Sequence, residues 1–359
     1  MKNINIEQNS LYNKSKKVRN KVLRRFSAFE GTGSDLTACT SYDDALRLAG
    51  LTYTAEKQPV FLGQKVGEET NYLEIKDQFA CVKIDENPVE GKVPAVLGIV
   101  GKQYQCVSNR DAFSVAEELF EEDIARFEVG GAVIGAQKKT DYSQTFLVMR
   151  GDDFNVADEP FNSFTILRNS FDGSTGVNFQ VVCQRVWCEN MATRYLGGKK
   201  NQLRVNIQHS SSALERIEQA KKIVMKRNED ILMVQREAEA FIGTKYTRAQ
   251  FEKNVLPLIL KEMKLVEEGK DRQRGQERIE NVVQLALSAY DAEDTQNFNG
   301  TAYKVILAIS DLETHMPALK DTNNPSLYIG RVAKGMLLTS AVANMIASQA
   351  NFDMRRFQN

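Results

Sequence analysis

Apolar and polar positions alternate between a helical and a strand period along this chain. Between Thr40 and Gly50, Ser41, the early acids Asp43 and Asp44, and the closing Gly50 outline a short capped helix. Period-two alternation rich in β-branched and aromatic residues then predicts strands over 72–85, 95–104, 126–137, 144–150, 163–171 and 177–188. In the last of these Val177, Phe179, Val181, Cys183, Arg185 and Trp187 share one face, which sets Arg185 in an otherwise apolar row. One helix, over 109–122, interrupts the strands, with Phe113, Ala116, Leu119 and Phe120 on one stripe. After a last strand at 203–209 the helical period runs nearly unbroken to Ala350. It predicts helices over 212–242, 247–267, 274–292, 301–313 and 326–350, the first opened by the capping-box-like Ser212-Ala213-Leu214-Glu215.

Strands first and helices second make an α+β fold: an N-terminal mixed sheet with a β-β-β-α-like core, followed by a mostly helical C-terminal half. That order excludes a doubly wound parallel sheet. The division expected is an arm over 1–35, an α+β core over 36–210 and a helical region over 211–359.

With 359 residues, 42% hydrophobic and 26% charged, the chain has the profile of a soluble globular protein large enough to bury a core. Its longest apolar runs, 93–100 and 336–347, fall short of the roughly 20 residues of a membrane span, so no membrane partner is expected. Five scattered cysteines argue against a disulfide framework and place the chain in a reducing cytoplasm. The net charge of zero hides an uneven distribution. Lys14, Lys16, Lys17, Arg19, Lys21, Arg24 and Arg25 follow one another without an acid between Glu7 and Glu30, and read as a flexible anion-binding arm.

Enzyme motifs fail on inspection. Gly98-Ile99-Val100-Gly101-Lys102-Gln103 lacks the first glycine and the hydroxyl of a phosphate loop, and Gly130-Gly131-Ala132-Val133-Ile134-Gly135 reads as a bulged strand. Cys183 and Cys188 have no second ligand pair, and Asp152, Asp153, Asp158 and Glu159 surround a loop where solvated charge is expected. His209, one of two histidines, sits between a strand and a helix cap in a structural role. No cofactor, metal or catalytic residue is assigned.

What remains is 167–190: a strand, an Asp172-Gly173 hairpin turn and a second strand, with Asn169, Ser170 and Asp172 placed to bond turn amides. Here the chain resembles the phage- and plasmid-borne proteins grouped as domain of unknown function 932. The pattern Asn-Ser-x-Asp-Gly-Ser then Arg-Val-x-Cys-x-Asn falls on Asn169, Ser170, Asp172, Gly173, Ser174, Arg185, Val186, Cys188 and Asn190. Further matches are Ala49-Gly50-Leu51 with Glu56-Lys57, Leu97-Gly98 with Val100-Gly101 and Tyr104, Asn109, His209, and Thr301-Ala302-Tyr303 with His315. The likeness spans about Ser41 to His315, and Phe171 stands where many relatives carry a histidine. By distant fold analogy the strand-then-helix order also resembles ring-forming phage single-strand annealing proteins.

These readings make the expected function that of a phage or plasmid accessory protein. It would bind single-stranded DNA or RNA without catalysis and serve strand annealing in recombination or replication. Besides the arm, Arg168, Arg185, Arg194, Lys199, Lys200 and Arg204 would take phosphates, with Tyr195 or Trp187 stacking on bases. The alternative is a phage structural or interaction protein, or an inhibitor of a host factor. The sparsely charged 332–347 segment must be buried, either against its own chain or at a subunit interface, and a homo-oligomer is expected on both functional readings.

Overall fold

The computed structural model describes residues 29, 31–85, 93–134, 140–157, 159–186, 191–192, 195–196, 204–263, 272–315, 337–353 and 357. Its centre is an eight-stranded sheet. The spatial order is β1 (Ser34–Asp35), β5 (Arg126–Ala132), β6 (Gln144–Arg150), β8 (Glu159–Ser170), β9 (Val177–Arg185) and β10 (Met191–Ala192). To these, β7 (Phe154–Val156) pairs with β8 and β11 (Arg204–Ile207) with β9. A second sheet holds β2 (Thr54–Val66), β3 (Glu69–Ile84) and β4 (Val96–Gly101). Where the sequence reading had one mixed sheet, the described strands form two, and every described pairing is antiparallel. Between consecutive strands short returns dictate this, because a parallel pair needs a crossover of a dozen residues or more.

Strands β5, β6, β8 and β9 are buried almost throughout because both faces of the sheet are covered. On one face Leu147, Leu167 and Phe179 pack against Leu46 of α1 (Tyr42–Leu48), Leu119 of α3 (Val115–Glu121) and Ile217 of α4 (Ala213–Val224). Further along that face Phe161, Val181 and Cys183 meet the helical half. The opposite face centres on Phe146, Val148, Phe164, Ile166 and Val182, closed by Phe29.

Several predicted elements divide. The helix over 109–122 becomes α2 (Asn109–Ala112) and α3. Ser108 caps α2, its hydroxyl accepting from the Asp111 amide at 3.0 Å, because the Asn109 side chain is committed to the core. The helix over 212–242 breaks into α4 and α5 (Arg227–Ile242), and Ser212 makes no side-chain cap bond. The break turns Arg227 into the sheet, where its guanidinium donates to the Ile124 carbonyl at 3.1 Å and to Ser163 Oγ at 2.8 Å. A true capping box forms between Thr247 and Gln250 at the start of α6 (Arg248–Gln250). A π turn at Phe251–Val255 follows, then α7 (Leu256–Glu262). Pro257 has no N–H to donate back and crowds the carbonyl four residues earlier, and the wider turn absorbs the mismatch.

The remaining helices are α8 (Arg272–Tyr290), a 3-10 turn at Glu293–Phe298, α9 (Ala302–His315) and α10 (Leu337–Gln349). Within α10, Leu338, Val342 and Ile346 lie in the same core as Ile306 and Ile309 of α9, and Met345 packs against it. Glu313 receives the Leu338 and Thr339 amides at 3.0 and 2.9 Å, so a carboxylate caps the buried helix. The described part of the 332–347 segment is therefore covered by its own chain, which removes the ground on which it was read as a subunit interface.

Candidate functional site

The turn between β8 and β9 gathers residues that are far apart in sequence. Asp172 Oδ1 accepts from the Ser174 amide at 2.9 Å, and Gly173 takes φ +70°, a conformation that costs glycine nothing. Tyr104 donates its hydroxyl to the Ser170 carbonyl at 2.6 Å. Gly98 lies so close beneath the turn that a Cβ there would stand 2.5 Å from Asp172 Cα. The fully buried Asn169 Nδ2 donates to the Val107 carbonyl at 3.1 Å and to Asn109 Oδ1 at 3.2 Å. Asn109 Oδ1 also accepts from Thr145 Oγ1 at 2.8 Å, while its Nδ2 donates to the Leu51 carbonyl at 3.2 Å. Phe171 is buried against Tyr53, ring centres 5.8 Å apart, so this position is an apolar plug.

His209 completes the cluster. Its ring stacks on Tyr104 at 4.6 Å, and Nδ1 donates to the Gln105 carbonyl at 3.1 Å, which leaves Nε2 as a buried acceptor with no partner. Burial lowers its pKa to about 4, against the smaller opposing effects of the Gln105 carbonyl and Asp172. The imidazole is neutral at pH 7. Cys81 and Cys106 lie nearby with sulfurs 3.4 Å apart. The motif residues thus lock strands β4, β6, β8 and β9 and the loop before α2 into one piece.

The candidate phosphate ligands separate into three groups. Arg185 is 1% exposed: its Nε donates to Glu159, while its two terminal nitrogens reach Asp294 Oδ2 at 3.1 Å and the Asp294 carbonyl at 2.7 Å. This corrects its reading as a nucleic-acid contact. A guanidinium in an apolar row is stable only when its charge is matched, and both acids face it from other elements. Tyr195 is corrected likewise: it is buried edge-on to Phe241, its amide bonded to Glu237, and presents no ring to a base. Two acids of the 152–159 loop are also engaged, Asp153 with Arg150 and Glu159 with Arg185, and Asp158 lies outside the described residues. No group of three or more His, Cys, Asp or Glu among the described residues is arranged to hold a metal.

Arg168 and Arg204 are placed differently. Register sets Arg168 opposite Asn178 and Arg204 opposite Gln180, so all four side chains leave the same face at the rim of the sheet, beside the exposed Asn206. Both arginines are half-buried. Arg168 has no hydrogen bond or ion pair with a described residue. Burial and then the neighbouring Arg204 bring its pKa down to about 10, with Asp172 the opposing attraction. Beneath them neither Nε2 nor Oε1 of the buried Gln180 side chain is bonded, nor is Asn178 Oδ1. Two like charges thus stand over unsatisfied amides. The sequence reading singled out the two arginines and missed Gln180, Asn178 and Asn206. The signal was the second row of β9, where Asn178, Gln180 and Gln184 alternate with Phe179, Val181 and Cys183.

Lys14, Lys16, Lys17, Arg19, Lys21, Arg24 and Arg25 lie outside the described residues, as do Arg194, Lys199, Lys200, Trp187, Cys188 and Asn190. No helix among the described residues is long and apolar enough to cross a membrane.

Comparison with known proteins gives one match. The family model described as domain of unknown function (DUF932) covers residues 96–329, the span that holds the Asn169–Gly173 turn, Arg168, Arg185, Arg204 and His209. No curated protein and no solved structure matches the chain. With well over half of its length covered by that family model, the chain belongs to the DUF932 family.

Proposed function

We infer that the protein binds single-stranded nucleic acid without catalysing a reaction, phosphates being taken at the Arg168–Arg204 rim. The observation that supports this is Arg168 itself: a half-buried cation with no ion-pair partner among the described residues, held beside a second cation. A guanidinium so placed can take an anion, and a phosphodiester offers the two oxygens that its fork takes. The exposed Asn206, opposite Asn178, lies beside the two cations. In this reading the 169–173 turn is a rigid support and His209 a spacer, and neither has a part in bond breaking. Strand annealing by a phage or plasmid accessory protein in a bacterial cytoplasm is the biological use that fits such a binder.

Fluorescence anisotropy with a labelled oligothymidylate tests the reading. Wild type should bind at about 50 mM salt and lose affinity steeply as salt rises. Replacing Arg168 and Arg204 together by Met should weaken binding and reduce the log–log salt slope by roughly 0.7 per lost contact. No binding by wild type, or an unchanged affinity and slope in the double variant, overturns it.

A further inference from the structure

The phosphate rim leaves a pair of thiols unused. Cys81 lies on β3, opposite Lys57 of β2 and Gly98 of β4, and is fully buried. Cys106 follows 25 residues later, in the loop between β4 and α2, and is half-buried. Their sulfurs stand 3.4 Å apart, and both thiols are free. Cys81 belongs to the small core around Tyr53, Leu97 and Phe171, and Cys106 packs against it. A cation is fixed nearby. Lys57 shares the face of Cys81 by register, donates its Nζ to the Lys102 carbonyl at 2.7 Å and rests 4.9 Å from the centre of the Phe79 ring. Cysteines that only fill space need no such neighbours, and these two are also unlike each other. The Cys81 thiol donates to Cys106 and so lowers the Cys106 pKa; burial opposes this, Lys57 adds to it and Glu56 subtracts. The same bond, and then burial, raises Cys81 and keeps its proton in place. The more nucleophilic sulfur thus belongs to the residue that solvent reaches.

We propose that Cys81 and Cys106 form a peroxide-responsive dithiol, in which Cys106 takes the oxidant and Cys81 resolves it to a disulfide. In the first step the Cys106 thiolate attacks one oxygen of a hydroperoxide. An S–O bond forms, the O–O bond breaks, and the departing alkoxide or hydroxide takes a proton from solvent. In the second step the Cys81 sulfur attacks the Cys106 sulfenic acid. The S–S bond forms, the S–O bond breaks, and the hydroxyl leaves as water with the proton that Cys81 gives up. Over both steps two thiols lose two electrons and two protons, and the hydroperoxide is reduced to water and an alcohol, or to two waters. The new bond ties β3 to the loop that steadies the turn between β8 and β9. That loop carries Tyr104, which donates to the Ser170 carbonyl, and Gln105 and Val107, whose carbonyls accept from His209 and Asn169. Oxidation therefore staples the second sheet to the turn and restrains the unfolded chain. The proposal does not depend on nucleic-acid binding.

The test treats the reduced full chain with hydrogen peroxide at neutral pH and maps its peptides without reductant. Wild type should yield the Cys81 and Cys106 peptides linked and should unfold at a higher urea concentration than the reduced chain, both changes being reversed by dithiothreitol. In Cys81→Ala the sulfenic acid should persist on Cys106, where dimedone traps it, and in Cys106→Ala the Cys81 thiol should survive. The wild-type map needs no variant and decides the proposal even where a substitution impairs folding. Both thiols intact at a peroxide concentration that oxidises free cysteine in the same time overturns the pair. So does a link from either one to Cys39, Cys183 or Cys188 in place of this one. Dimedone on Cys81 rather than Cys106 in wild type overturns the assigned order, and a linked chain with the reduced urea midpoint overturns the staple.

Discussion

The two ends of the β8–β9 pair treat the same side chain in opposite ways. At one end Arg185, opposite Phe161, enters a core and is matched by Glu159 from its own sheet and Asp294 from the helical half. At the other, Arg168, opposite Asn178, stops half-buried beside Arg204 with no such match. The first charge joins two parts of the fold. The second serves no structural pair among the described residues, and the proposed binding of an anion would account for it. Burial of an arginine is thus no guide to its role until the groups facing it are known.

The largest expected effect breaks the matched end. Arg185→Ala leaves Glu159 and Asp294 without their cation and should cost about 3–5 kcal/mol in urea unfolding. Oligonucleotide affinity per folded molecule should be unchanged; a loss of affinity without a loss of stability would return Arg185 to the phosphate track.

His209 lies beyond the Arg168 end, beside the hairpin turn. Its folded pKa of about 4 is below the unfolded value of 6.5, so the unfolded chain binds the extra proton as pH falls between them. Its contribution is present above pH 6.5 and lost on the way down to about pH 4, a change on the order of 3 kcal/mol at most. Urea midpoints measured from pH 7 to 4 should fall more steeply for wild type than for His209→Gln. Parallel profiles would show that the ring is accessible to protons in the folded chain.

Gly98→Ala should cost about 1–3 kcal/mol, because the new Cβ meets the Asp172 backbone rather than a side chain that can move. If the 169–173 turn is only a support for the rim, the variant should lose affinity solely in proportion to unfolding. The smallest effect has the opposite sign from the first. Arg168→Met removes an unmatched charge and should leave stability unchanged or raise it by up to about 1 kcal/mol, while binding weakens. A destabilised Arg168→Met would mean that the unmatched charge is structural after all.

Much of the frame was readable from residue order. The α+β order, the Asp172-Gly173 turn, the apolar row containing Arg185 and the strand setting of Gly130 and Gly131 all follow from side-chain periods and turn chemistry, which act within a few residues. Strand β2 was not readable: with Pro59, Gly63 and charged residues, and with solvent on both faces of its outer half, it carries no buried row to mark it. Conversely, 337–349 is so apolar that its sequence asked for a cover without naming one, and α9 supplies it.

The sequence by itself determined most of the elements, the turn and which of the candidate arginines lie on strands, because propensity, alternation and capping are local. Only the tertiary structure decided which of those arginines is matched, which apolar stretch is covered and which is left exposed. Asp294 stands 109 residues from Arg185, and Arg204 reaches Arg168 only through the β8–β9–β11 register. Electrostatic matching and burial depend on distances in space, which side-chain patterns along the chain do not specify.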